Sequence, residues 1–214
     1  MKNTQHDAVR PYFSEFPLLV LARPTDDGQF DVSGHMAVDG RTIGGYANPV
    51  TAWIDATQFA KAGRSGYRPE WAGRFNRKLF YNADTQCLMV DVRTCWPVHE
   101  RRIILQPDLS LATITKPVRL HVPHGAELPA SFEVDAAASR WLDDVHERAG
   151  LFAWRETVRA TRSWEVSRVE SAVKRALGTI EVTACDASLC DELALFDPES
   201  ERWHFVPAAD FLKK

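Results

Sequence analysis

The chain has 214 residues, 45% of them hydrophobic and 26% charged, with a net charge of -3. That length and composition suit one sizeable globular domain over 1–214, with a subdivision near 123–134 as the place to cut it. The overall charge argues against a general polyanion binder, and four cysteines argue against a disulfide scaffold. Residues 17–22 are apolar, but the run is too short for a secretory or membrane segment, so a cytoplasmic protein without membrane insertion is expected.

In chain order, residues 16–23 read as a buried strand. Asp26-Asp27-Gly28 is a turn signal before a second strand over 29–38. Asn48-Pro49 places an N-cap ahead of a proline at the first helical position. Val50, Trp53, Ile54 and Ala60 are expected on the buried face of that helix, and Gly63 ends it. A short helix is predicted over 69–77. Residues 78–123 then carry strand patterns at 79–81, 87–93, 102–106, 112–116 and 118–122, read as an antiparallel meander. Two helices follow, one from Asp135 to Ala149 and one from Ser163 to Leu177. Strands at 179–185, 192–196 and 202–206 and a short helix after Pro207 close the chain. The fold class is therefore α+β: an antiparallel sheet of hairpins and meander packed against two or three helices.

The distribution of charge points to a surface. Between residues 61 and 78, Lys61, Arg64, Arg68, Arg74, Arg77 and Lys78 stand against one acid, Glu70, with Tyr67, Trp71 and Phe75 among them. Forked guanidinium donors beside rings suit an acidic protein face or phosphates. Arg64, Tyr67, Arg68, Trp71, Arg74, Arg77 and Lys78 are the candidate partner-binding residues. An acidic run of Asp186, Asp191, Glu192, Asp197, Glu199 and Glu201 lies near the C-terminus. Arg155, Arg159 and Arg162 would extend the positive surface from a helix face, or pair with Glu147, Glu156 or Glu165.

Catalytic and metal signatures fare poorly. Cys185 and Cys190 are the one close cysteine pair, and Cys87 and Cys95 are distant from them, so no zinc pattern forms. His121 and His124 point to opposite faces of an extended segment, and His99 stands beside Glu100. Asp91 ends an apolar run but has no phosphate-binding loop to accompany it, and reads as solvent-facing. Gly40, Gly44 and Gly45 do not make a dinucleotide fingerprint. Asp108, Glu133 and Asp135 would serve a metal-dependent nuclease, but without the usual lysine spacing. Ser33-Gly34-His35 has no defined third partner. No catalytic residue, metal or cofactor is expected.

The opening stretch from Pro11 to Arg23, together with the length and the lack of an enzyme motif, resembles plasmid-borne fertility-inhibition proteins. That resemblance implies a non-enzymatic inhibitor or adaptor that blocks the conjugative DNA-transfer machinery of another plasmid by binding a protein component such as the coupling ATPase. Some related inhibitors are reported to have nuclease-type folds. The alternative is thus a nucleic-acid-binding or metal-dependent nuclease-like protein using residues 61–78. The resemblance carries over no site residue.

Overall fold

The structure, a computed structural model, describes residues 18–129 and 134–212. The first strand, β1 (Leu19–Pro24), is buried on both faces over its first four residues. Val20 and Ala22 join one apolar cluster and Leu19 and Leu21 another, which is why the segment reads as a continuous apolar run. β1 pairs antiparallel with β2 (Phe30–Val32), β4 (Gly40–Tyr46) and β5 (Arg68–Trp71). β3 (Gly34–Ala37) forms a hairpin with β4. β4 lies parallel to the long strand β7 (Cys87–His99).

β7 organises the rest. It pairs antiparallel with β6 (Tyr81–Asn82), β8 (Arg102–Ile104), β9 (Ile114–His121) and β11 (Glu192–Asp197). A bulge between Arg93 and Cys95 separates its two halves. β11 forms a hairpin with β12 (Arg202–Pro207), and β10 (Glu181–Thr183) runs parallel to β8.

Among the described residues four α-helices cover this sheet. α1 (Pro49–Lys61) begins as its sequence implies, with Asn48 Oδ1 accepting from Thr51 N at 2.8 Å. Gly63, at φ +81°, carries the chain away. α2 (Ala136–Arg148) is capped by Asp135, which accepts from the amides of Ala137 and Ala138. α3 (Trp154–Thr161) and α4 (Val166–Gly178) complete the set. α2 and α3 close over the face that carries Val90, Val92 and Val118. α4 packs on α1, joining Val169 and Val173 to Val50 and Ile54. Burial of each such aliphatic side chain stabilises by roughly 1.5–3 kcal/mol.

The expected fold class needs correction. The sheet is mixed, not an antiparallel meander, because β4·β7 and β8·β10 are parallel. Among the described residues there are four α-helices, not two or three. Parallel pairing needs a long crossover, and turn signals in a sequence mark only hairpins. Several elements also differ in detail. The predicted strand 29–38 is two strands broken at Ser33, and 112–122 is one strand running through Pro117. The helix predicted over 69–77 is the edge strand β5 followed by two 3-10 turns, Ala72–Arg74 and Arg77–Phe80. Pro69 fits there because an edge strand need not donate on its outer side. The second late helix starts at Val166, not Ser163, and α3 precedes it. Ala60 is exposed. Residues 1–17, with most of the stretch that carries the family resemblance, lie outside the described residues.

One polar cluster fixes α1 to the sheet. Asp55, fully enclosed in α1, accepts from Tyr46 Oη at 2.8 Å, from Trp96 Nε1 at 2.9 Å and from Arg93 Nη1 at 3.1 Å. Arg93 Nη1 also donates to Thr113 Oγ1 at 2.9 Å. Burial pushes the Asp55 carboxyl above its ordinary value, but all its partners are donors, so the site is built for the carboxylate.

Removing one member of a buried ion pair leaves the other charge unpaired, so Asp55→Ala should lower the unfolding free energy by about 3–5 kcal/mol, read from the urea midpoint. The exposed Asp144→Ala should change it by less than about 0.5 kcal/mol. His146 of α2 stacks on Trp154 at 4.3 Å and donates from Nδ1 to the Leu142 carbonyl at 2.7 Å. Burial pulls its imidazole down from 6.5 to about 4. The unfolded chain therefore binds the extra proton first, and stability should fall as pH drops from about 6.5 to about 4, by roughly 2–3 kcal/mol. His146→Phe should flatten that part of the profile in urea titrations at pH 7.0 and 4.5.

Candidate functional site

Strand pairing sorts the predicted binding residues onto two sides of the sheet. Directly opposed residues share a face. Arg68 opposes Ala22 and Glu70 opposes Val20, on the side that α2 and α3 cover further along. Trp71 opposes Leu19 on the α1 side. Arg68 Nε donates to Glu70 Oε1 at 2.8 Å, and Arg74 binds the other oxygen of the same carboxylate. Two guanidiniums on one acid leave a net positive charge, and their side chains remain 53% and 59% exposed.

The rings divide in the same way. Tyr67 is buried against Phe59 on the α1 side and donates to Asp31 Oδ2 at 2.5 Å. Trp71 is 39% exposed. The rings beside Arg68 and Arg74 are others: Phe30 opposes Pro24 on their face, is 39% exposed and meets Phe75 edge-on at 5.5 Å. Arg64 lies over Phe59 at 4.1 Å, on the α1 side. Arg77 donates to the Leu128 carbonyl, and Lys78 is exposed beside the Asn76 cap. The stretch 61–78 is thus two surfaces, with Arg68 and Arg74 on one and Arg64, Tyr67 and Trp71 on the other.

On the α1 side a cavity of about 320 Å³ opens over the middle of the sheet. Arg93, Thr113 and Thr115 line it from below, Arg64 and Phe59 from the end of α1, Gln106, Asp108 and Ser110 from the loop after β8, and Ser33 and His35 from the start of β3. Arg93 lies flat because residue 44 has no side chain. A Cβ there would clash with Arg93 Nε and sit 3.2 Å from its Cδ. Beside it, His35 Nε2 is 2.8 Å from Asp91 Oδ2, and Arg119 Nη1 donates to Asp91 Oδ1 at 2.7 Å. Burial pushes the Asp91 carboxyl up, but the His35 and Arg119 hydrogen bonds outweigh it and hold it below its ordinary value. Asp91 is therefore not solvent-facing, and it is the partner that His35 lacked in the sequence.

The other candidates are accounted for locally. Asp108 accepts from Ser110 and meets Arg64 at 3.4 Å, while Asp135 caps α2. Glu133 lies outside the described residues. Arg155 is bidentate on Asp143, and Arg159 meets Glu156 at 3.5 Å. Arg162 is half-buried, and burial lowers its guanidinium from the ordinary value. Of the acidic run, Asp186 and Asp197 cap turns, Asp191 and Glu192 meet His99 and Arg101, Glu199 accepts from Thr157, and Glu201 meets Arg175. The four cysteines are free thiols, and burial pushes that of Cys95 well up. Among the described residues no group of three His, Cys, Asp or Glu side chains could hold a metal ion. No described helix is long and apolar enough to cross a membrane.

Asp55, Arg93 and Phe30 were missed by sequence reasoning. The signal was an acid and a base inside largely apolar runs, which mark a buried pair only if the two runs meet. Gly44→Ala should displace Arg93 and destabilise the fold by about 1–3 kcal/mol, measured by urea unfolding.

Compared with protein-family models, with curated proteins and with solved structures, the chain matches none.

Proposed function

We propose that this protein is a non-enzymatic inhibitor or adaptor that docks an acidic face of a protein partner through the Arg68–Arg74 surface. The observation that carries the reading is the doubly clamped Glu70, which leaves two oriented, exposed guanidiniums with excess positive charge beside the Phe30–Phe75 ring pair. Preformed charge of this kind sets the rate and orientation of approach, and the rings supply contact area. The resemblance of the opening stretch to fertility-inhibition proteins makes a conjugative coupling ATPase the first partner to test. The chain would then act by occupying the surface that the transfer machinery needs.

The test is association of the purified chain with the soluble part of a coupling ATPase, followed by biosensor at several salt concentrations. Arg68→Gln with Arg74→Gln should slow association about tenfold at low salt, and Phe30→Ala should speed dissociation. The melting temperature of each variant serves as the folding control. Mating frequency from donors expressing the same variants should recover in parallel. An association rate insensitive to salt and to both arginines sinks the reading, and binding of duplex DNA in place of the ATPase would replace it with the nucleic-acid alternative.

A further inference from the structure

The cavity on the α1 side holds more hydrogen-bond donors than the fold uses. Arg93 at its base is only 8% exposed; it spends Nη1 on Asp55 and Thr113 and its Nε is sealed against Gly44, which leaves Nη2 as the nitrogen it can still offer. Arg64 hangs over the rim on the rings of Phe59 and Tyr67, and its contact with Asp108 is long at 3.4 Å. Thr113 accepts from Arg93, so its own hydroxyl hydrogen is free to donate, and the hydroxyls of Ser33 and Thr115 line the same space. Against these stands one lining carboxylate, Asp108, whose Oδ1 is already taken by the amide and hydroxyl of Ser110.

Two guanidiniums and three hydroxyls are too many donors for the two oxygens of a carboxylate. They match the three terminal oxygens of a phosphoryl group, for which arginine is the preferred fork. A volume of about 320 Å³ is at the small end of ligand pockets, enough for a phosphate with a few attached atoms. We infer that this cavity is a phosphoryl-binding site for inorganic phosphate or a small phosphomonoester, with Arg64 closing over the anion and Thr113 and Thr115 orienting it from below. Because Asp55 neutralises Arg93, recognition rests on directed donors more than on net charge. The site lies across the sheet from Arg68 and Arg74, so it stands or falls separately from the docking surface.

Calorimetric titration of the full chain at constant ionic strength, with inorganic phosphate, glycerol phosphate and acetate as probes, tests this. One phosphate should bind per chain, and Arg64→Gln and Thr115→Val should each weaken it about fivefold or more while leaving the melting temperature of the free protein nearly unchanged. Glycerol phosphate binding about tenfold tighter than phosphate identifies an ester site, and equal affinities identify free phosphate as the ligand. The inference is overturned if neither phosphate binds at up to about 10 mM, if acetate binds equally well, or if both variants bind like the parent. Should Arg64→Gln fail to fold, Thr115→Val alone decides.

Discussion

Asp55 sits in a helix and Arg93 in a strand, and neither is tolerable in its place without the other. Each charge is removed from water, and the cost of that removal is offset only because Tyr46, Trp96 and Thr113 complete the hydrogen bonding. These residues come from β4, α1, β7 and the segment before β9. The pair therefore sets how α1 lies on the sheet. By holding Arg93 flat across Gly44, it also sets the shape of the cavity beside it. Apolar burial supplies most of the stabilisation, but it is not directional. The ion pair supplies the direction.

The sheet then separates two chemistries that the sequence interleaves. Residues two apart in a strand share a face, and consecutive ones do not. Arg68 and Glu70 thus face one way, while Tyr67 and Trp71 face the other. The basic stretch becomes an exposed, clamped pair of arginines on one side and a single arginine over a polar cavity on the other. Most of the acidic run is likewise spent on turns and local ion pairs, which removes much of the long-range charge opposition that its composition suggests.

What could be read beforehand follows the range of the interaction. Asn48-Pro49 specified the start of α1 because capping is local. The β11–β12 hairpin was visible because its turn sits between two short apolar runs. The β4·β7 pairing was not visible, since forty residues lie between Tyr46 and Cys87 and nothing local marks a crossover. Phe30 does not read as a surface ring in the sequence because it is distant from Phe75, and Asp91 reads as solvent-facing there because His35 and Arg119 are both remote from it.

β7 is thirteen residues long and borrows neighbours from nearly the whole chain, taking β4, β6 and β9 along its first part and β8 and β11 along its last. Inserting or deleting one residue within it would turn every later side chain to the opposite face and place Arg93 or Trp96 where an aliphatic belongs. A change of length is therefore best accommodated in its connections or at the Arg93–Cys95 bulge, while the rest of the strand tolerates only substitution.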